Sequence, residues 1–319
     1  MSCNKMQINY LKSYNVIFWI YVLVSVSQTY FSITLYVFFT LISVVTVFLN
    51  LLVIISISYF KHLHTATNLI ILSLAVSDLL VGLLAIPAMT VAIMEPCWVF
   101  GGYFCALLLY TNFLCETSSL GNLVLISIDR YVAICDPLMY HQRITITKMK
   151  CWILMTWSFC IIYEAVLIKI YVNVEVPSGC FEECYSTDTI SLVSLMDLVI
   201  IMIVPCSIII TLYLKIFVVA RSQARQVFFS KRAASVFVHK TVQANKSERK
   251  AAKTLGIVVF NYLIFWNPFL YIYFLTNYSL TSFIISNLPL LSSFVNPIIY
   301  AFFYPWFRMT AKHILSLKL

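Results

Sequence analysis

The sequence carries very little charge. Asp, Glu, Lys and Arg make up 10% of its 319 residues, whereas 62% are hydrophobic and the mean hydropathy is +0.94. A soluble domain usually carries about a quarter charged residues. The composition therefore excludes a water-soluble globular protein and predicts an all-α membrane protein in which the lipid bilayer acts as solvent.

Other features are missing as well. No Gly-, Pro- or Ser-rich linker and no internal repeat divides the chain, which favours one domain. No metal-ligand cluster and no nucleophile–base pair stands out, so nothing indicates an enzyme. A transporter would predict inverted repeats and broken helices, and neither is visible in the sequence.

What the sequence does contain is long apolar stretches, and about 20 apolar residues suffice for one membrane-spanning helix. Seven stretches qualify, at about 31–58, 68–93, 104–134, 149–171, 190–219, 250–275 and 280–303. A further run, 16–27, is too short for another span, and it is either a signal-like segment or an extension of the first helix. The sequence predicts a seven-transmembrane helix bundle.

The net charge of +9 comes from basic residues concentrated in alternate loops. These residues are Arg143, Lys148, Lys150, Arg221, Arg225, Lys231, Arg232, Lys240 and Lys246, with Arg308, Lys312 and Lys318 in the tail. By the positive-inside rule these loops are cytoplasmic, so the amino terminus is extracellular. This topology explains the charge without nucleic acid. We expect an extracellular segment 1–30, a receptor bundle 31–304, and a segment 305–319 with an amphipathic helix from Trp306 to Leu317 and a short cytoplasmic tail.

Short motifs on every span resemble the rhodopsin-like (class A) G-protein-coupled receptors. They are LNLLV at Asn50, LSLAVSDLL at Asp78, SIDRYVAI at Arg130, Trp157, Pro205, FWNP at 265–268 and NPIIY at 296–300. The stretch SSFVNPIIYAFFYPWF, 292–307, resembles the fingerprint of the trace amine-associated receptors within that class.

The resemblance implies an activation switch at the cytoplasmic face. An Arg130–Glu248 ion pair would join the third and sixth spans, and its rupture would open a groove for a heterotrimeric G protein. The implied switch residues are Asp129, Arg130, Tyr131, Glu248, Trp266, Pro297 and Tyr300.

The resemblance also implies a buried ion site. Asp78 lies in mid-membrane, where an unpaired charge costs several kcal/mol. It is either a protonated packing residue or part of a site for a sodium ion or waters, and no other cofactor is implied. The residues of that site would be Asp78, Asn50, Ser119, Ser293 and Asn296.

Two disulfides follow from the same likeness. Cys105, at the start of the third span, would pair with Cys184 in the second outside loop. The pattern CFEEC, which begins at Cys180, is similar to the trace amine-associated receptors and implies a second bond from Cys180 to Cys3.

Amine receptors of this class hold the ligand ammonium with an aspartate on the third span. Counting seven residues on from Cys105, or eighteen back from Arg130, gives Asn112 instead. Leu290 stands where the seventh span usually offers that aspartate a tyrosine. An acid appears on the fifth span, because Asp197 lies eight residues before Pro205, about 12 Å towards the outside.

This arrangement resembles fish-type trace amine-associated receptors and predicts Asp197 as the ligand counter-charge, since an ammonium in a dry pocket needs one. Glu116, one turn below Asn112, is either a second anchor suited to a diamine or a protonated, hydrogen-bonded residue. The expected aromatic and apolar lining is Phe113, Trp266, Phe269 and Leu270. Glu164, a third acid in an apolar span, has no assigned role.

The resemblance thus implies a plasma-membrane receptor for a small amine. It would signal through a stimulatory G protein and cyclic AMP in olfactory sensory neurons. A rhodopsin-like receptor for an aminergic transmitter or a small non-amine ligand is the alternative, and a transporter is a more distant one.

Overall fold

The computed structural model describes Tyr30 and residues 33–94, 101–171, 198–230, 252–265 and 288–316, and all regular structure within them is helical. We label the main helices α1 to α8. Their bounds are α1 Ile33–Tyr59; α2 Ala66–Leu80, continued by a π-helical turn Val81–Ala85 and by Ile86–Met94; α3 Gly101–Cys135; α4 Ile146–Tyr171; α5 Leu198–Ile203, a π-helical turn, and Val204–Ser230; α6 Ala252–Phe265; α7 Leu288–Phe303; and α8 Pro305–Leu315.

Each predicted span contains one of the helices α1 to α7. Five of them, α1 to α5, are long and apolar enough to cross a membrane, and α6 and α7 are shorter within the described residues. The parts of the predicted spans at 190–197, 266–275 and 280–287 lie outside those residues. The helix predicted from Trp306 to Leu317 begins at Pro305, because proline suits the first turn, and ends at Leu315 with Ser316 as its cap. The described helix thus ends two residues before the predicted end, and Leu317 itself lies outside the described residues.

Prolines explain the two π-helical turns. Proline has no N–H and its ring crowds the carbonyl one turn earlier, so the preceding turn widens. In α2 the turn Val81–Ala85 stands just before Pro87, and in α5 the turn Leu198–Ile203 stands just before Pro205. Both irregular turns lie within a span, and the helix continues beyond each of them.

Helix α3 organises the bundle, because it packs against α2, α4 and α5. The largest core cluster joins these helices to α1, α6 and α7. Its fully buried members include Ile57, Ile70, Leu74, Ile126, Met149, Ile209, Leu255 and Tyr300. Tyr300, which was predicted to belong to the activation switch, is thus part of the central packing.

Buried polar side chains join neighbouring helices. The Trp157 indole N–H of α4 donates to Ser73 Oγ of α2 at 2.9 Å, and Ser77 Oγ of α2 lies 2.9 Å from Ser118 Oγ of α3. Asn122 Nδ2 of α3 reaches the same Ser77 Oγ at 3.5 Å. Such contacts favour one rotational setting of the helices, since lipid offers these groups no other partner.

A glycine allows α3 and α4 to approach closely. A Cβ atom added at Gly121 would overlap Cγ2 of Thr156 on α4. The Thr156 hydroxyl is separately engaged, because it donates to its own helix at Trp152 O, 2.9 Å away. The overlap therefore concerns a methyl group and not a hydrogen bond.

This contact gives a test of the fold. We expect Gly121→Ala to lower the thermal unfolding midpoint of the detergent-solubilised protein. Overpacking costs about 1–3 kcal/mol, more than the roughly 1 kcal/mol that alanine gains in helix propensity. Thr156→Ser removes the methyl group and keeps the hydroxyl. The double variant Gly121→Ala/Thr156→Ser should therefore recover most of the loss, and a Gly121→Ala protein that melts like the wild type would contradict the packing.

Candidate functional site

Asp129 and Arg130 form a closed network near the carboxyl-terminal end of α3. Arg130 donates to Asp129 Oδ2 from its terminal nitrogen at 2.6 Å and from Nε at 2.9 Å. Thr67 of α2 accepts from Arg130 at 2.7 Å and donates to Asp129 Oδ2 at 2.8 Å. Both charged side chains are buried. This network ties α3 to α2.

The loop after α3 supplies a further donor. The Tyr140 hydroxyl donates to Asp129 Oδ1 at 2.9 Å. Burial, and secondly the Asp129 carboxylate, raises the pKa of Tyr140 to about 12. The phenol therefore remains a protonated donor throughout the physiological pH range.

The remaining switch residues are placed in part. Tyr131 packs against Ile134, Ile216 and Ala252, and Lys215 Nζ lies 5.9 Å from its ring centroid. Pro297 lies inside α7 and Tyr300 is fully buried. Glu248 and Trp266 lie outside the described residues, so the predicted Arg130–Glu248 ion pair stays a prediction.

Four of the five residues of the predicted Asp78 site are hydrogen-bonded in two pairs. Asn296 Nδ2 of α7 donates to Asp78 Oδ2 at 2.9 Å. Asn50 Nδ2 of α1 donates to Ser293 O of α7 at 3.2 Å and to Thr46 O of its own helix at 3.0 Å. These bonds connect α1, α2 and α7 in mid-membrane.

The same region offers oxygen ligands. Four buried oxygen atoms have no hydrogen-bond partner among the described residues: Asp78 Oδ1, Asn50 Oδ1, Asn296 Oδ1 and Ser119 Oγ. Carboxylate, amide and hydroxyl oxygens are what hard cations prefer. The residues present therefore fit a sodium ion or ordered waters beside Asp78.

At the level of the predicted ligand pocket, two candidate residues of α3 are bonded to each other. Asn112 Nδ2 donates to Glu116 Oε1 at 3.2 Å, across one helical turn. Asn112 is 8% exposed and Glu116 is half-buried. The neutral amide therefore stands above the acid and engages one of its oxygens.

Glu164 has a partner that the sequence did not reveal. It is 2% exposed on α4, and Thr117 Oγ1 of α3 forms a short hydrogen bond with its carboxyl group. Thr117 directly follows Glu116 in the chain. An acid in an apolar span was a visible signal, but its partner depends on how α3 and α4 are rotated against each other.

Two other residues predicted to line the pocket make apolar packing contacts. Phe113 packs against the cluster of Cys105, Leu108 and Leu109, and Leu290 is buried in a cluster with Cys115. Asp197, Phe269 and Leu270 lie outside the described residues, as does Trp266.

The predicted disulfide at the start of α3 is described at one end. Cys105 is fully buried and disulfide-bonded. Its predicted partner Cys184 lies outside the described residues, as do Cys3 and Cys180.

Comparison with known proteins agrees with this arrangement. Residues 49–300 match the family model of the 7 transmembrane receptor (rhodopsin family). Trace amine-associated receptor 13c of Danio rerio is 38% identical over 86% of this chain and 83% of its own length. Trace amine-associated receptor 5 of Mus musculus is 40% identical over 85% and 82%, and trace amine-associated receptor 1 of Mus musculus is 36% identical over 90% of each.

This chain belongs to the trace amine-associated receptors. It is a seven-transmembrane receptor of the rhodopsin family, as its motifs predicted. As a member of this family, it is a multi-pass membrane protein that has a small-molecule ligand and a heterotrimeric G-protein partner.

The Asp129 network gives a test of the receptor's resting state. We expect Thr67→Val, which keeps the side-chain shape and removes the hydroxyl, to raise basal nucleotide exchange on a G protein several-fold. Loss of a buried hydrogen-bond partner costs about 1–3 kcal/mol in the conformation that contains it. Thr34→Val is the control, because that hydroxyl bonds Tyr30 O of its own helix. Unchanged or reduced basal exchange at equal surface density would contradict a restraining role.

The Asp78 site gives a second test. We expect sodium chloride to raise the thermal midpoint of the receptor above that in choline chloride at equal ionic strength, because an ion bound to the folded state stabilises it. Asp78→Asn should remove the difference. Asp136→Asn, which changes an acid in the cytoplasmic loop that pairs with Arg143, should preserve it. A sodium effect that survives Asp78→Asn would exclude this site.

Proposed function

We propose that this trace amine-associated receptor detects a small amine, with Asp197 as the principal counter-charge for the ligand ammonium. The observation that carries the proposal is the Asn112–Glu116 hydrogen bond of 3.2 Å. A neutral amide occupies the place on the third helix from which amine receptors of this class offer a carboxylate. The ammonium therefore requires an acid elsewhere in the pocket.

The electrostatic need is large. A cation moved from water into a pocket of low dielectric loses solvation worth several kcal/mol, and a nearby carboxylate offsets that loss. Asn112 offers an ammonium a carbonyl dipole and no charge. Asp197, which directly precedes the first described residue of α5 in the chain, supplies a full negative charge at the register expected for the pocket.

Glu116 is proposed as a second anchor. Its bond to Asn112 shows that its carboxyl group points up the helix, towards the outer end where Asn112 lies. Two acids on different helices would suit a ligand with amino groups at both ends, such as an alkyl diamine. The alternative is a protonated Glu116 that serves as a hydrogen-bonded packing residue.

The signalling part of the proposal rests on the family resemblance. A stimulatory G protein, a rise in cyclic AMP, expression in olfactory sensory neurons and an extracellular amino terminus are all proposed on that ground. The neutral Asn112 also favours a second candidate, a receptor of the same family for a small non-amine ligand. An amine panel separates the two.

The test compares monoamines and diamines of matched chain length on receptor-expressing cells with a cyclic-AMP readout. Asp197→Asn should weaken the potency of every amine by about 30-fold or more, because removing one partner of a buried charge pair costs about 2–5 kcal/mol. Glu116→Gln should weaken the diamines and leave the monoamines nearly unchanged. Asp188→Asn is the matched control for charge in the predicted outside loop.

Three outcomes would change the assignment of the anchor or of the ligand class. Full amine potency in Asp197→Asn, at wild-type surface density, would exclude Asp197 as the anchor. Loss of all responses in Glu116→Gln alone would make the deeper acid the anchor. A receptor that responds to neutral analogues as strongly as to amines would support the non-amine alternative.

A further inference from the structure

A groove lies where α7 meets α8. The two helices are bent by 103° to each other, so α8 turns away from the direction of the seventh span. The groove in the angle has a volume of about 530 Å³. It is lined by Ala301 of α7 and by Phe307, Arg308, Ala311, Lys312, Leu315 and Ser316 of α8. The small side chains of Ala301 and Ala311 leave the space open.

The groove combines two kinds of chemistry. Its apolar lining is Ala301, Phe307, Ala311 and Leu315. Phe302 on α7 and Met309 on α8, next in sequence to the lining residues Ala301 and Arg308, are 74% and 66% exposed. In a membrane protein such side chains face acyl chains. Arg308 and Lys312 are exposed along one edge and lie one helical turn apart, about 5–6 Å between their Cβ atoms.

Nothing in the neighbouring segments neutralises these cations. The sequence has no Asp or Glu before Asp78 and none after Glu248, so α1, the turn that follows it and α6 to α8 carry no carboxylate. The turn after α1 adds Lys61, and it lies beside α8, because the ring centroids of Phe60 and His313 are 5.9 Å apart. The cytoplasmic edge formed by α1, this turn and α8 is therefore uniformly cationic.

We propose that the α7–α8 groove binds one anionic phospholipid of the inner leaflet. The phosphate lies between Arg308 and Lys312, and an acyl chain lies along Ala301, Phe307 and Leu315. The acyl chain satisfies the apolar wall, and the phosphate satisfies the cations that no carboxylate reaches. A soluble anion would fit only the second half of this site.

The position links the lipid to the receptor core. Ala301 directly follows Tyr300, which is fully buried in the central packing, and Phe307 at the groove floor is buried in the same cluster. A lipid held here therefore bears on the lower end of α7 through residues that already belong to the core. It would stabilise the described angle between α7 and α8.

The test uses the full-length receptor in neutral detergent and native mass spectrometry, with phosphatidylglycerol and phosphatidylcholine of the same acyl chains. We expect one phosphatidylglycerol to bind at least tenfold more tightly than phosphatidylcholine. Arg308→Gln/Lys312→Gln should weaken phosphatidylglycerol by about 25-fold, roughly fivefold for each cation removed. Ala301→Leu, which fills the groove and keeps both charges, should weaken it as well.

The control Lys148→Gln/Arg221→Gln removes two exposed cytoplasmic charges far along the chain from α8. It should bind phosphatidylglycerol like the wild type. If it lost as much affinity as Arg308→Gln/Lys312→Gln, the binding would be due to diffuse surface attraction and not to the groove. Equal binding of both lipids, or full binding to Ala301→Leu, would overturn the proposal. Displacement of the lipid by millimolar glycerophosphoglycerol would also overturn the proposal, since the site would then recognise the headgroup alone. Thermal midpoints near the wild-type value confirm that each variant is folded.

Discussion

The structure depends on one constraint, which is that hydrocarbon offers polar groups no hydrogen bonds. Each polar side chain buried in a span must therefore find its partner on its own helix or on a neighbour. Asn296 with Asp78, Trp157 with Ser73, and Thr117 with Glu164 are three such pairs, and each joins two different helices. These polar pairs fix which faces of the helices meet, while apolar packing against α3 forms most of the core.

The same constraint separates the receptor into three layers with different chemistry. Near the carboxyl-terminal end of α3, Arg130 pairs with Asp129, and the hydroxyl groups of Thr67 and Tyr140 stabilise this charge pair. In mid-membrane, Asp78 has an amide neighbour and several unpartnered oxygens around it, which suits a small cation. At pocket level, Asn112 and Glu116 share one bond on a single helix. The Arg130 charge is therefore compensated by Asp129 within the protein, whereas Asp78 and Glu116 each accept a hydrogen bond from an asparagine amide.

Much of this was readable from the sequence, for physical reasons that differ by feature. Hydropathy located both ends of α1 to α4 to within about three residues, because the length of a membrane helix is set by the bilayer. Helix α5 continues to Ser230, well beyond the predicted end of the fifth span at 219. The family resemblance implied that Asp78 and Asn296 belong to one site, and in the structure Asn296 Nδ2 lies 2.9 Å from Asp78 Oδ2. The Thr117–Glu164 contact could not be predicted, because it depends on the rotation of two helices. Nor could the extent of α8, which is set by Pro305 and the Ser316 cap rather than by its apolar face.

The amide–carboxyl contact on α3 has a consequence for sensitivity. A cation that pairs with Glu116 Oε1 would compete with the Asn112 amide for that oxygen, so the amide is a weak internal competitor in the proposed ligand pocket. This internal competition lowers the affinity for the cation without removing selectivity. The Asn112–Glu116 hydrogen bond re-forms when the ligand leaves. A receptor with this arrangement would be less sensitive to low ligand concentrations and would recover faster between exposures.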